Sequence, residues 1–310
     1  MTRLMFFAVT AFACGGGKTQ PTTPPPTGGT GNDVGGKPGD QSAPAVAEKK
    51  PPEPAAPPRR MMESKTPTEL QWKAVDEKAG DKGPMIAPLW GDMDTEANGY
   101  FIKVPKGYVG MLHTHSSDHH SVAVQGTSTN AQDGVKKPGP LPPQSYWFQP
   151  GGKAHTNACG KKDDCIVYVH SMGKFDVSPA TPVKGAKPDA AYTEKRGKDL
   201  KWQAMDPKNP KGPQWASLWG DAQSEPNGFL LKLKAGNEAF WHIHKFDYHG
   251  IVLAGTLNNI ESGSEAKDLP VGSYWMQPGG MKHTTNCKAG GPDCVVYLEF
   301  TGAFDVKPVP

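Results

Sequence analysis

The sequence predicts an all-β protein: two tandem antiparallel β-barrels of jelly-roll type, carried behind a disordered N-terminal tether. Three observations predict it. The chain repeats itself at a spacing of about 129 residues: Trp72 answers to Trp202, L-W-G-D at Leu89 to Asp92 to the same run at Leu218 to Asp221, and H-T-H from His113 to H-I-H from His242. Inside the repeats helical periodicity is poor, and short β-rich runs alternate with Gly, Pro and Asn clusters every 8–15 residues or so. Before the repeats the composition changes to Pro, Gly, Thr, Ser, Ala and charge, with almost no large apolar residue.

In chain order, residues 1–14 hold one Arg and a short apolar run from Leu4 to Ala13, ending in A-F-A-C at Cys14. Ten apolar residues are too few to span a bilayer and suit the apolar part of an export signal. A small residue before Cys14, with Gly15, Gly16 and Gly17 after it, resembles a bacterial lipoprotein processing site, with Phe12 atypical at its place. Residues 15–67 cannot bury enough surface to offset their ordering and read as a flexible tether. Residues 68–178 form the first repeat, 179–197 a linker and 198–310 the second repeat, each repeat near the usual size of one domain.

The cysteines agree with export. Cys159 with Cys165, and Cys287 with Cys294, occupy matching positions of the two repeats; the fifth is Cys14. Two disulfides and one lipidated thiol use all five, whereas the spacings are not the C-x2-C of a zinc site. The expected location is the bacterial cell envelope: lipid-anchored, periplasmic or on the outer-membrane surface. A net charge of +3 with acids and bases interspersed excludes a nucleic-acid stripe or a basic membrane patch. Membrane contact is then expected only through the lipid anchor, and a homodimer is left open.

The predicted strands of the first repeat include Gly99 to Val104, Ser121 to Val124, Ser145 to Gln149 and Cys165 to Val169. Their counterparts are Gly228 to Leu233, Ile251 to Leu253, Ser273 to Gln277 and Cys294 to Glu299. In copy one Gly107 is followed by His113, His115 and a closing Gly126; in copy two Gly236 is followed by His242, His244 and Gly255. A second block, G-S-Y-W-M-Q-P-G-G-M-K-H, runs from Gly272 to His283, with Gln144 standing in copy one where copy two has Gly272. These blocks resemble the two signature motifs of the cupin superfamily. L-W-G-D, Y-H-G at Tyr248 to Gly250, G-S-Y-W-x-Q-P-G-G and the closing Y-L-E-F resemble, more narrowly, a cupin family labelled only as a domain of unknown function. The resemblance implies a bicupin, two double-stranded β-helix barrels in one chain.

Two His at i and i+2 on a strand share a face, and a third on a neighbouring strand can complete a facial set with open positions for water or substrate. The sets are His113, His115 and His155, and His242, His244 and His283, with the spacing of cupin metal ligands. The Glu that cupins commonly place six or seven residues after the first His is missing. His119 or His120 stands there in copy one, and Tyr248 or His249 in copy two. Strand phase counted from Gly126 and Gly255 favours His119 and Tyr248; identity between copies favours His120 and His249. Asp118 and Asp247 could be ligands, orienters or turn residues, with the turn reading preferred. One of each aromatic pair, Trp147 or Tyr146 and Trp275 or Tyr274, should face the barrel interior, as core or pocket wall. His170 reads as structural and without a counterpart, Leu298 taking its place.

The expected cofactor is a divalent transition metal (Fe, Zn, Ni, Cu or Mn) in one or both barrels. Imidazoles without a carboxylate would leave a cationic centre that favours an anionic small molecule or a bound hydroxide. If the chain is an enzyme, oxygen-dependent oxidation at Fe(II) is expected first and metal–water chemistry second. The competing readings are a non-catalytic ligand-binding or sensing module and a surface scaffold.

Overall fold

A computed structural model describes residues 60–310. The export segment, Cys14 and most of the tether lie outside them. The described chain is all-β, with three single-turn 3-10 helices and no α-helix. Each repeat closes into a barrel from one large and one small antiparallel sheet. The large sheet of barrel one runs, in spatial order, Thr193–Lys195, Tyr146–Gln149, His119–Gln125, Cys165–Ser171, Asn98–Val104, Met85–Trp90 and Lys73–Ala74. Its small sheet is Ser178–Pro179, His113–Thr114, His155–Cys159 and Ser128–Gln132. Barrel two repeats the order with Glu63–Lys65, Tyr274–Gln277, Tyr248–Ala254, Cys294–Phe300, Asn227–Leu233, Gln214–Trp219 and Gln203–Ala204. Its small sheet is Leu269–Pro270, Thr256–Glu261, His283–Cys287, His242–Ile243 and Lys307–Pro308.

The first strand of each large sheet comes from outside the barrel that it completes. Glu63–Lys65 precedes repeat one yet pairs with Tyr274–Gln277 of barrel two. Thr193–Lys195, from the segment before repeat two, pairs with Tyr146–Gln149 of barrel one. Two sequence assignments are corrected here. Glu63–Lys65, expected within the tether, is a strand, and so is Thr193–Lys195, expected within the linker. These three-residue segments carry no apolar periodicity; their partners' open backbone edges make them strands.

The large sheets are buried on both faces. One face of each fills its own barrel, with Tyr100, Ala123, Trp147 and Val167 in barrel one and Phe229, Val252, Trp275 and Val296 in barrel two. The other faces meet in a shared core built from Phe101, Val122, Val124 and Tyr168 against Leu230, Ile251, Leu253 and Tyr297. Both cysteine pairs are disulfides, Cys159–Cys165 and Cys287–Cys294. Gln144 has φ 70°, the sole non-glycine in the left-handed region among the described residues. Gly272 takes the same conformation in copy two at φ 85°, without the steric cost of a Cβ.

Candidate metal centres

The small sheet of each barrel brings the histidine triad together. His113 stands in register opposite His155, and His242 opposite His283. One ligand atom from each of His113, His115 and His155 lies within 4.8 Å of the others, and the same holds for His242, His244 and His283. Every Nδ1 is held by a main-chain carbonyl. His113 donates to Met111 O at 2.9 Å, His155 to Lys153 O at 3.0 Å, and His115 to Asp176 O. In barrel two His242 donates to Phe240 O at 2.8 Å, His283 to Met281 O at 2.9 Å, and His244 to Asp305 O. A carbonyl can only accept, so each Nδ1 carries the proton and each Nε2 presents its lone pair. Such backing contacts orient ligand rings at metal sites.

Asp176 and Asp305 belong to the repeated F-D-V, which the sequence marked only as the end of each copy. Their carboxylates accept the amides of Ser116 and Lys245 at 2.8 Å, which fixes the carbonyls that hold His115 and His244. A role exercised through a carbonyl has no side-chain signature. The repetition of F-D-V was the available signal.

Burial keeps these rings neutral. It pushes His155 and His283 down to about 3 and His244 to about 4, lowers His113, His115 and His242, and holds His119 well below the ordinary range. The unfolded chain therefore binds more protons than the folded one between pH 6.5 and about 3. Stability from these rings is present above pH 6.5 and lost as pH falls through that window. Chelator-treated protein should show a falling denaturation midpoint from pH 7 to 4 in urea titrations. Replacing His155 and His283 by Gln should flatten that slope.

Strand alternation decides the fourth position. His119 and Ser121 face the cavity of barrel one, the His119 ring lying 5.0 Å from His115 and 5.8 Å from His155. Tyr248 faces barrel two with near-identical spacings, 5.2 Å to His244 and 5.8 Å to His283. His120 and His249 point the opposite way, into the shared core, and are not ligands of either triad. His120 is hydrogen-bonded to the Tyr146 hydroxyl at 2.7 Å and stacks on Trp219. His249 is bonded to the Tyr274 hydroxyl at 2.9 Å and stacks on Trp90. Tyr146 and Tyr274 are therefore removed from the pocket candidates, and Trp147 and Trp275 are the members that line the cavities. Asp118 and Asp247 are turn residues, accepting the amides of Gly151 at 2.7 Å and Gly279 at 2.8 Å.

The two centres differ in what meets the third histidine. His155 Nε2 is buried with no hydrogen-bond partner among the described residues. His283 Nε2 lies 3.0 Å from the Tyr248 hydroxyl. The cavities differ as well: about 360 Å³ in barrel one and about 660 Å³ in barrel two. Tyr100, Ile102, Trp147 and Phe175 wall the first; Phe229, Leu231, Trp275 and Phe304 wall the second. Among the described residues no Lys or Arg lines either one.

His170 is also corrected. Its counterpart is Glu299, not Leu298, because the disulfide loop spans seven positions in copy two and six in copy one. His170 and Glu299 meet across the shared core at 3.3 Å. The Glu299 carboxylate also accepts the Tyr168 hydroxyl and, at 2.9 Å, the Tyr297 hydroxyl.

A family profile described as "Domain of unknown function (DUF4437)" matches residues 41–178 and 194–310. No curated protein sequence matches the chain. Among solved structures, a Nostoc punctiforme protein described as a candidate dioxygenase is 13% identical with a TM-score of 0.61, covering 81% of this chain and 87% of its own. Bacillus subtilis oxalate decarboxylase is 10% identical with a TM-score of 0.55 and 79% coverage of each chain. The Lactobacillus farciminis oxalate decarboxylase, solved as a formate complex, is 10% identical at 0.55, covering 79% of this chain and 88% of its own. At such identities the likeness is one of fold, and that fold is the double-barrelled cupin.

Proposed function

The chain belongs to the DUF4437 family, a cupin family without an assigned activity, and from that footing we propose that its first barrel holds a divalent transition metal and binds a small, largely apolar molecule beside it. The observation that carries this reading is the buried His155 Nε2 without a partner, converging with two further carbonyl-oriented imidazoles. An unsatisfied buried acceptor of this kind is costly unless something fills it. Neutral imidazoles suit Fe, Zn, Ni, Cu or Mn in varying degree and do not discriminate sharply among them. Such an ion, when bound, supplies Lewis acidity or, for iron, one-electron chemistry with dioxygen.

His113, His115 and His155 would hold the ion, and His119 stands where a fourth donor would be. The Met111, Asp176 and Lys153 carbonyls keep the rings aimed. Tyr100, Trp147 and Phe175 exclude water and orient the ligand. With no cationic side chain on the wall, the pocket favours an uncharged molecule over the anion expected from the metal charge alone. Export to an oxidising compartment belongs to the same reading, supported by the two disulfides.

Full-length protein purified without chelator and reconstituted separately with the five metals should retain about one or more ions per chain by elemental analysis. His155→Ala and His113→Ala should each weaken retention at least tenfold. Absence of metal in every reconstitution would overturn the proposal. Dioxygen uptake by the iron-loaded protein with a panel of neutral aromatic compounds then separates an oxidative enzyme from a binding module.

A further inference from the structure

The two barrels repeat the same triad, but one hydroxyl separates them. In barrel two His283 Nδ1 donates to the Met281 carbonyl, so its Nε2 can only accept; the Tyr248 hydroxyl at 3.0 Å is its donor. The lone pair that a metal would need is therefore already engaged. Tyr248 is fixed in that position: it is 2% exposed, stacks on Phe300 at 4.7 Å, and its hydroxyl also lies 3.5 Å from the Asn259 side-chain oxygen and beside the Thr285 and Trp275 side chains. Barrel one has His119 at the matching place, and there His155 Nε2 is left without a partner.

We propose that Tyr248 keeps metal out of the second barrel, which is a metal-free binding pocket, while the first barrel is the metal centre. This rests on the reading of barrel one given above and extends it to an assignment of roles. Metal entry into barrel two would break the Tyr248–His283 hydrogen bond and leave the buried hydroxyl only the longer contact to Asn259 Oδ1, at 3.5 Å, as an acceptor. The cavity beside it, about 660 Å³ and walled by Phe229, Leu231, Trp275, Leu298 and Phe304, suits an uncharged apolar ligand that needs no ion to hold it.

The test is metal stoichiometry on the full chain after loading with Zn²⁺, and separately with Mn²⁺, followed by exhaustive dialysis. Wild type should hold one ion, lost in His155→Ala and kept in His283→Ala. Tyr248→Phe, which keeps the ring and its stacking, should hold two, as should Tyr248→His, which reproduces the first barrel. Two ions in wild type, one of them lost with His283→Ala, would overturn the assignment while leaving the metal reading of barrel one intact. One ion in both wild type and the Tyr248 variants would do the same. No ion in wild type but one in Tyr248→Phe would overturn the metal reading and uphold the role of Tyr248. No ion in any variant would overturn both.

Discussion

His170→Ala is expected to destabilise the protein by about 3–5 kcal/mol, the largest effect of any single truncation outside the barrels' own cores. Glu299 is 3% exposed, and removing His170 strands a carboxylate in the middle of the shared core. Burial alone would raise Glu299, yet His170 and the hydrogen bonds to it hold the group down at about 2. His170 is in turn raised, burial acting against it and the Glu299 charge prevailing. The signs define a window. The Glu299 contribution is present above its unfolded value near 4.5 and lost as pH falls toward 2. The His170 contribution is present below pH 6.5 and lost as pH rises through its raised folded value. Urea unfolding at pH 6 should show the full loss. Glu299→Gln keeps the Tyr168 and Tyr297 contacts in altered form and should cost less. The double variant should cost clearly less than the sum of the two, because the stranded charge is then gone. Additive costs would show that the pair is not coupled.

Gly228→Ala should cost about 2–4 kcal/mol, by overpacking together with a lost hydrogen bond. A Cβ at Gly228 would overlap the Trp219 indole nitrogen, and one at Gly99 would overlap that of Trp90 in the same way. Trp219 Nε1 donates to the Tyr297 hydroxyl at 2.9 Å and the ring stacks on His120 at 4.3 Å. Displacing the indole therefore disturbs the carboxylate cluster and the strand that carries His119. A lower unfolding midpoint with shifted tryptophan fluorescence is the expected readout. Gly152→Ala has open space around its Cβ position and serves as a control, costing only the strain of its positive φ. Equal losses in the two variants would sink the packing explanation.

Much of this architecture was legible before any coordinate. The repeat gave two barrels, and strand phase from Gly126 and Gly255 selected His119 and Tyr248 over their neighbours, because side chains alternate along a strand. What escaped had physical reasons. The one-residue difference between disulfide loops shifted the count at His170 and hid Glu299 as its counterpart. The run Cys294–Phe300 is buried at all seven positions, and its near-unbroken apolar character was the sign of a strand covered on both faces. A second face implies a second partner, which turns His120, His249, Trp90 and Trp219 from local residues into contacts between barrels. The completing strands left only a faint trace, Lys65 and Lys195 standing in the register of Trp72 and Trp202, since pairing with a distant edge asks for backbone and very little of the side chains.

Those completing strands also set an order of events during synthesis. Glu63–Lys65 leaves the ribosome early but has no partner until Tyr274–Gln277 follows, roughly two hundred residues later. Barrel one, for its part, lacks its edge strand until Thr193–Lys195 has been made. Barrel one can complete its large sheet once the linker has been made, whereas barrel two must reach back to a strand made before either barrel. The closing step is a long-range pairing, the slow kind in folding. A nascent chain stalled before residue 274 would hold one nearly finished barrel and one unpaired strand, a species that a protease or a chaperone could distinguish from the mature protein.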